Sequence, residues 1–399
     1  MLYELEIENF YSLRDPQVID LRVAANAPDF PGRFAPLWEG SDERAPKVVA
    51  IFGPNASGKS TVLRALSFIA WFIRESFSIA PGGRLPFEKF NSHEAQASRT
   101  RLAISLAGMA DPSGAGQAAG FCRYQYEVVL SSDHQVSSEI LSYWPPSTAR
   151  RVRLFSRENG KVSAASAFGL SGFRQALEKI LRPNASVIST LAQLKHPFAT
   201  ALWESASLVL SNILIERADG VEDQMVRFYA DNPAIVGALN REIERIDLGV
   251  RAMKVEMGPS GPAAWFAHEG HDQLMPLVLE SHGTRTFLRL YPFLLRTLET
   301  GGIAVLDEFD TAIHPLVLPE ILRWFYDPVR NPYDAQLWMT CHNASLLEDL
   351  VKEEILFCSK SSGGRSEVYG LSDVQAVRRD DNYYRKYLGG SYGAVPQIG

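Results

Sequence analysis

Apolar and polar residues alternate along residues 2–8, Leu-Tyr-Glu-Leu-Glu-Ile-Glu, which predicts a half-buried strand. Residues 17–23 repeat the pattern after a polar turn at 14–16, so the chain is expected to open with an antiparallel hairpin. The run 47–52 is short, β-branched and apolar. It ends in a glycine-rich loop, and from Ser60 a helical pattern sets Val62, Leu63, Leu66, Ile69, Ala70 and Ile73 on one face. That is strand, loop, helix. Residues 101–106, 123–130, 136–143 and 152–157 predict a β meander beside this unit, with the low-complexity stretch 107–120 as a surface loop. Residues 168–250 read as mainly helical, divided by Pro183, Pro197 and Pro233. Two buried strands, 303–306 and 336–340, then flank a helical stretch at 316–326, the arrangement of a mostly parallel, helix-covered sheet. Short strands at 354–358 and 367–371 follow, and the Gly-rich tail from Ser391 reads as pliable.

Composition narrows the classes. With 399 residues, 46% of them hydrophobic, the chain is long and apolar enough for two or three domains and is not disordered. Its net charge of −6 has the wrong sign for a protein that coats nucleic acid unaided. Cys122, Cys341 and Cys358 form no Cys-x-x-Cys pair, which argues against a disulfide framework or a structural zinc site. The longest apolar run is about eight residues, where a membrane span needs roughly 20. Glu4, Glu6 and Glu8 stand where a secretory signal would be basic and then apolar. A cytoplasmic protein without membrane contact is expected.

Gly53-Pro54-Asn55-Ala56-Ser57-Gly58-Lys59-Ser60 fits G-x-x-x-x-G-K-[ST] between a predicted strand and a predicted helix, the context this motif requires. Gly53 and Gly58 let backbone N–H groups wrap phosphate oxygens, and the helix start at Ser60 and Thr61 adds its positive dipole end. Lys59 can reach the terminal phosphates, and the Ser60 hydroxyl can ligate Mg2+. Downstream, Ile303 to Leu306 leads into Asp307-Glu308 at the carboxyl edge of the sheet, where ligands bind. On a phosphate-loop protein Asp307 holds the magnesium shell, and Glu308 is positioned to polarise a water for attack on the γ-phosphate. Ser281-His282-Gly283-Thr284-Arg285 precedes another helical pattern and offers a second helix-start anion site. Arg150, Arg151, Arg153, Arg157 and Lys161, near Tyr143, Trp144 and Phe155, form a basic cluster that could meet nucleic acid or an acidic protein. A second cluster, Arg378, Arg379, Arg385 and Lys386, reads as helix surface or subunit contact.

In this order, these motifs resemble the ABC-type ATPases of the SMC and RecF class. More specifically, they resemble compact AAA-family ATPases related to the OLD (overcoming lysogenization defect) group and to bacterial abortive-infection systems. The resemblance is concentrated in Asn9 to Leu13, the phosphate loop, Ser281 to Pro315 and Thr340 to Leu347. It implies that Ser281 and Gly283 act as a signature capping nucleotide across a dimer, and that His342 in Thr340-Cys341-His342-Asn343 senses the γ-phosphate. His314 stands where ordinary ABC proteins carry an aspartate, and Ile313-His314-Pro315 matches the OLD-like pattern. His282 occupies a place usually held by a small residue, and no glutamine loop is identified. Residues 150–280 lack the sustained heptads of a long SMC coiled coil, and no Asp-x-Asp nuclease cluster follows Asn343, so nuclease chemistry would come from a partner.

The expected fold is α/β, an ABC-type P-loop NTPase head of mixed sheets with flanking helices and a helical insertion. Residues 1–165 would form an N-terminal lobe, 166–255 an insertion or lid, and 256–399 a C-terminal lobe. The expected activity is Mg-dependent hydrolysis of ATP in a homodimer or higher oligomer whose closure controls a separate effector, a nuclease or other toxin, in anti-phage defence. A RecF-like DNA-repair ATPase and an ATP-bound scaffold with little turnover stay open. A transporter ATPase is the weakest alternative.

Overall fold

The computed structural model describes residues 1–38, 40–110, 121–145, 150–213, 221–246, 249–259, 261–311 and 313–396. The chain begins with β1 (Leu2–Glu8), β2 (Gln17–Asp20), the short β3 (Phe34–Pro36) and β4 (Arg44–Pro46), then β5 (Val48–Phe52) and helix α1 (Lys59–Glu75). Helix α2 (His93–Ala97) leads to β6 (Thr100–Ala110), β7 (Phe121–Leu130), β8 (Val136–Trp144), β9 (Val152–Glu158) and β10 (Lys161–Ala164). Next come α3 (Arg174–Ile180), α4 (Val187–Gln193), α5 (Pro197–Ser207), β11 (Val209–Ser211), α6 (Val221–Asp231) and α7 (Pro233–Ile246). The C-terminal part holds β12 (Val250–Gly258), β13 (Gly261–His268), β14 (Met275–Pro276), α8 (His282–Thr300), β15 (Ile303–Leu306), α9 (Val317–Tyr326), β16 (Gln336–Thr340), β17 (Ile355–Lys360), β18 (Ser366–Gly370) and α10 (Tyr383–Leu388).

Two large sheets stack with α1 between them. One is antiparallel, in the order β10-β9-β8-β7-β6-β1-β2, and the other runs β11-β15-β16-β5-β17-β18, parallel except for β18. The opening hairpin and the meander are therefore one sheet, joined where β1 pairs with β6. Residues 111–120 of the expected surface loop lie outside the described residues. Strands of the parallel sheet are buried on both faces, and alternate side chains feed two cores. Val49, Ile51, Val305 and Trp338 face the core shared with α1 and the antiparallel sheet, while Val48, Ala50, Phe52, Leu306 and Met339 face the core under α8 and α9.

Helix α1 is more deeply buried than its sequence pattern predicts. Ala65, Phe68, Trp71 and Phe72 are buried along with the expected face, because a helix with a sheet on each side has little solvent face. Gln336 joins the two sheets: its side-chain amide donates to the carbonyls of Leu2 and Pro46 at 2.9 and 3.1 Å and accepts the Leu2 N–H at 2.7 Å.

Two local readings change, and one hairpin is added. Arg157 does not belong to the exposed basic cluster: it is buried beside Glu139 at 3.8 Å and donates to the carbonyls of Ala185 and Arg182. Glu139 in turn accepts from the Tyr126 hydroxyl and the Val187 N–H. Burial pushes its carboxyl up to about 7, with Arg157 opposing. The tail from Ser391 is pinned rather than pliable, since Tyr369 and Tyr387 donate to the carbonyls of Tyr392 and Ala394 and the Tyr392 ring is buried near Phe357. Finally, β12 and β13 form a hairpin; a register shift between Val250 and Ala252 breaks the alternation that would have announced its first strand.

Candidate nucleotide site

Strand β5 is buried along its whole length and delivers residues 53–58 to the carboxyl edge of the parallel sheet. Gly53 and Gly58 adopt φ of 147° and 109°. A Cβ on Gly53 would lie 2.2 Å from the Cys358 carbonyl oxygen, and one on Gly58 would lie 2.5 Å from the Ser366 hydroxyl, so packing as well as conformation demands glycine at both places. No side chain caps α1, and no acidic residue stands in its first turn. The positive end of the helix dipole is thus aimed at the loop without an internal counter-charge.

Lys59 folds back over this loop, its Nζ donating to the carbonyls of Gly53 and Pro54 at 2.8 and 3.0 Å. Burial holds its pKa below the ordinary lysine value, while the nearby Asp307 and Asp310 carboxylates oppose that shift. The Ser60 hydroxyl donates to Asp307 Oδ1 at 2.9 Å, and Thr340 donates to the same oxygen at 2.6 Å. A hydroxyl and a carboxylate side by side suit a hard cation such as Mg2+. No cluster of three or more His, Cys, Asp or Glu suited to a metal is found among the described residues.

Three residues absent from the sequence-based site hold this edge in place. Asn212, at the end of β11, clamps the Asp307 backbone, accepting its N–H at 2.8 Å and donating to its carbonyl at 3.0 Å. Thr340 Oγ1 accepts the Glu308 N–H at 2.7 Å. Asp310 Oδ2 accepts the N–H groups of His342 and Asn343 at 2.9 and 2.5 Å. Asn212 lies 95 residues before Asp307, and only the parallel pairing of β11 with β15 brings them together, so no local pattern announces it. Thr340 was within reach of sequence reasoning, since it ends a predicted strand. Glu308 takes φ of 50° and is exposed, as is His342.

The chain thus gathers Gly53 to Thr61, Asp307, Glu308 and the turn of His342 at one sheet edge. Ser281 and Gly283 are elsewhere: Ser281 is the exposed N-cap of α8, accepting the Thr284 N–H at 3.0 Å. Among the described residues no hydrogen bond or ion pair joins either of them to residues 53–61.

Of the solved structures, 102 chains match this one. They include an SmcHead bound to the C-winged helix domain of ScpA, at 13% identity over 92% of this chain and 97% of that one, TM-score 0.49. The SMC head domain from Thermotoga maritima gives 15% identity over 92% and 98%, TM-score 0.40. An Smc head with an extended coiled coil, bound to the C-terminal domain of ScpA derived from Pyrococcus furiosus, gives 14% over 93% and 96%, TM-score 0.43. No curated protein matches the sequence. A family profile described as "AAA domain, putative AbiEii toxin, Type IV TA system" matches residues 48–348, a span that holds the phosphate loop, Asp307, Glu308 and His342, and the chain belongs to that AAA-domain family.

Proposed function

We propose that this protein binds Mg-ATP and hydrolyses it, and that nucleotide closes two copies on each other to switch a partner. The observation that carries the reading is the contact of the Ser60 hydroxyl with Asp307 beside the Lys59-bearing loop. In this reading Gly53 to Thr61 wrap the phosphates and Lys59 exchanges its two loop carbonyls for phosphate oxygens. Ser60 and Asp307 hold Mg2+, which supplies neutralisation of the developing phosphate charge. Glu308 accepts a proton from the attacking water, and His342 contacts the γ-phosphate. Ser281 and Gly283 of a second copy cap that phosphate, in keeping with the exposure of Ser281 at a helix start.

Residues 1–165 and 256–399 belong to one head, into which 166–213 is also built, since α4 and α5 pack on α1 and β11 pairs with β15; an inserted lid is then confined to 221–255. The family description supports a setting among bacterial toxin systems, and the OLD-like Ile313-His314-Pro315 supports one in anti-phage defence, where closure restrains or releases a separate effector. A DNA-linked role keeps one observation in its favour: Trp144 sits between the guanidiniums of Arg123 and Arg151 at 5.7 and 5.8 Å, an aromatic–cation pairing that nucleic-acid surfaces use.

The test is ATP hydrolysis by wild type, Lys59→Ala and Glu308→Gln, each with mass photometry with and without ATP. Activity in wild type, none in Lys59→Ala, and an ATP-bound assembly of Glu308→Gln support the reading. An inactive wild type whose assembly ignores ATP rejects it for the isolated chain. Stimulation of hydrolysis by DNA, lost when Arg151 and Arg153 are removed, moves the reading toward repair.

A further inference from the structure

We propose that Asp310 is a positioning residue that locks the turn carrying His342 to the turn carrying Glu308, so that both face the γ-phosphate as one rigid unit. The inference rests on the ATPase reading above. The two turns follow neighbouring parallel strands, β15 and β16, and the pairing of those strands ends at Leu306 and Met339. Beyond that point side chains and turn backbone must keep the turns in register. On one side, Glu308 N–H reaches the Thr340 hydroxyl at 2.7 Å, and Phe309 N–H reaches the Thr340 carbonyl at 3.2 Å. On the other, one oxygen of Asp310 accepts both the His342 and the Asn343 N–H.

Hydrogen bonds from N–H to a carboxylate are roughly twice as strong as neutral ones, and here two of them converge on a single oxygen. The other oxygen, Oδ1, is buried and accepts no hydrogen bond, and the Cys341 thiol of the same turn is pushed up by burial and then by Asp310, so the carboxylate bears on three successive residues of the His342 turn. Glu308 itself holds φ of 50°, a conformation that a non-glycine residue keeps only where its surroundings over-determine it. The bonds from Thr340 and Asp310 supply that constraint. Asn343 is held in the same way and caps the short 3-10 turn at Ala344–Glu348, so the lock extends into the next segment.

A group that fixes two others without touching substrate should alter turnover and leave binding almost intact, since small misplacements of reacting groups are costly. The experiment combines ATPase kinetics with hydrogen exchange of the His342 and Asn343 amides in the nucleotide-free full chain. Asp310→Ala is expected to speed exchange at both amides by about tenfold and to lower kcat about 10- to 100-fold, with KM for ATP changed less than about threefold. Asp310→Asn, which keeps an acceptor oxygen, should restore most of both. If Asp310→Ala does not fold, Asp310→Ser takes its place, being too short to reach the two amides.

Unchanged exchange, or kcat within about twofold of wild type, overturns the proposal. So does a large rise in KM with kcat spared, which would make Asp310 a group that touches nucleotide. An inactive wild type would reject the ATPase reading and with it the action on phosphate, while the exchange data still decide whether Asp310 holds the turn. Failure of one claim is thereby separated from failure of the other.

Discussion

The sheet edge at Asp307 and the helix start at Ser281 are built in opposite ways. At the sheet edge Ser60, Asn212 and Thr340 all bond to Asp307, and Asp310 bonds to the turn after β16, so most polar groups have partners within the chain. At the start of α8, Ser281 bonds only its own first turn among the described residues, and it and His282 face solvent. On the reading proposed above, the preorganised sheet edge and the separate, solvent-facing helix start are two halves of a site that a second copy completes, with binding assigned to the single chain and hydrolysis to two.

That contrast can be broken most severely at Lys59. Lys59→Ala should lower ATP binding by two orders of magnitude or about 3 kcal/mol, read by calorimetry, while the melting temperature without nucleotide stays near wild type. Glu308→Gln should keep binding and lower kcat about 100- to 1,000-fold, read by phosphate release. Ser281→Arg should leave ATP binding to the isolated chain unchanged and lower hydrolysis about tenfold or more, with an N-cap cost of about 1 kcal/mol in urea unfolding. Gly58→Ala, forced to place a Cβ against Ser366, should cost about 1–3 kcal/mol and weaken nucleotide binding.

The smallest effect sharpens the contrast from the side of stability. Glu354, buried against Arg33 at 2.6 Å, has its carboxyl pushed up to about 7 by burial, with Arg33 opposing. A carboxyl raised in the folded state favours folding below its unfolded pKa of about 4.3, and that contribution is lost as pH rises toward 7. Unfolding free energy should therefore fall between about pH 4.5 and 7, and Glu354→Gln should flatten the slope by on the order of 1–3 kcal/mol over that window, read by denaturant titration.

Much of the frame was legible because its elements are strongly patterned. Strands β15 and β16 fall on the residues their apolar runs predict, as does the helix after the phosphate loop, since a parallel sheet covered on both faces needs continuous apolar strands. The phosphate loop was readable because its glycines answer local conformational needs. What escaped is what the fold assembles from afar or reads against local pattern. Asn212 meets Asp307 only through strand order, and Asp310 looks like an ordinary turn acid until the turn after β16 is beside it. Arg157 reads as a surface cation because it follows Arg150, Arg151 and Arg153 in one basic run, but the fold buries the middle of β9 and places Glu139 opposite it. The pinned tail was missed because tyrosines such as Tyr387 and Tyr392 offset the flexibility that its glycines suggest.

The composite site is tested most directly by mixing two inactive variants. Lys59→Ala keeps an intact Ser281, and Ser281→Arg keeps an intact Lys59, so a mixed dimer would contain one complete site. Equal mixing should restore hydrolysis to roughly a quarter of the wild-type rate, because about half of randomly paired dimers would be mixed and each would hold one working site of two. A mixture no more active than the average of its two components would contradict the account.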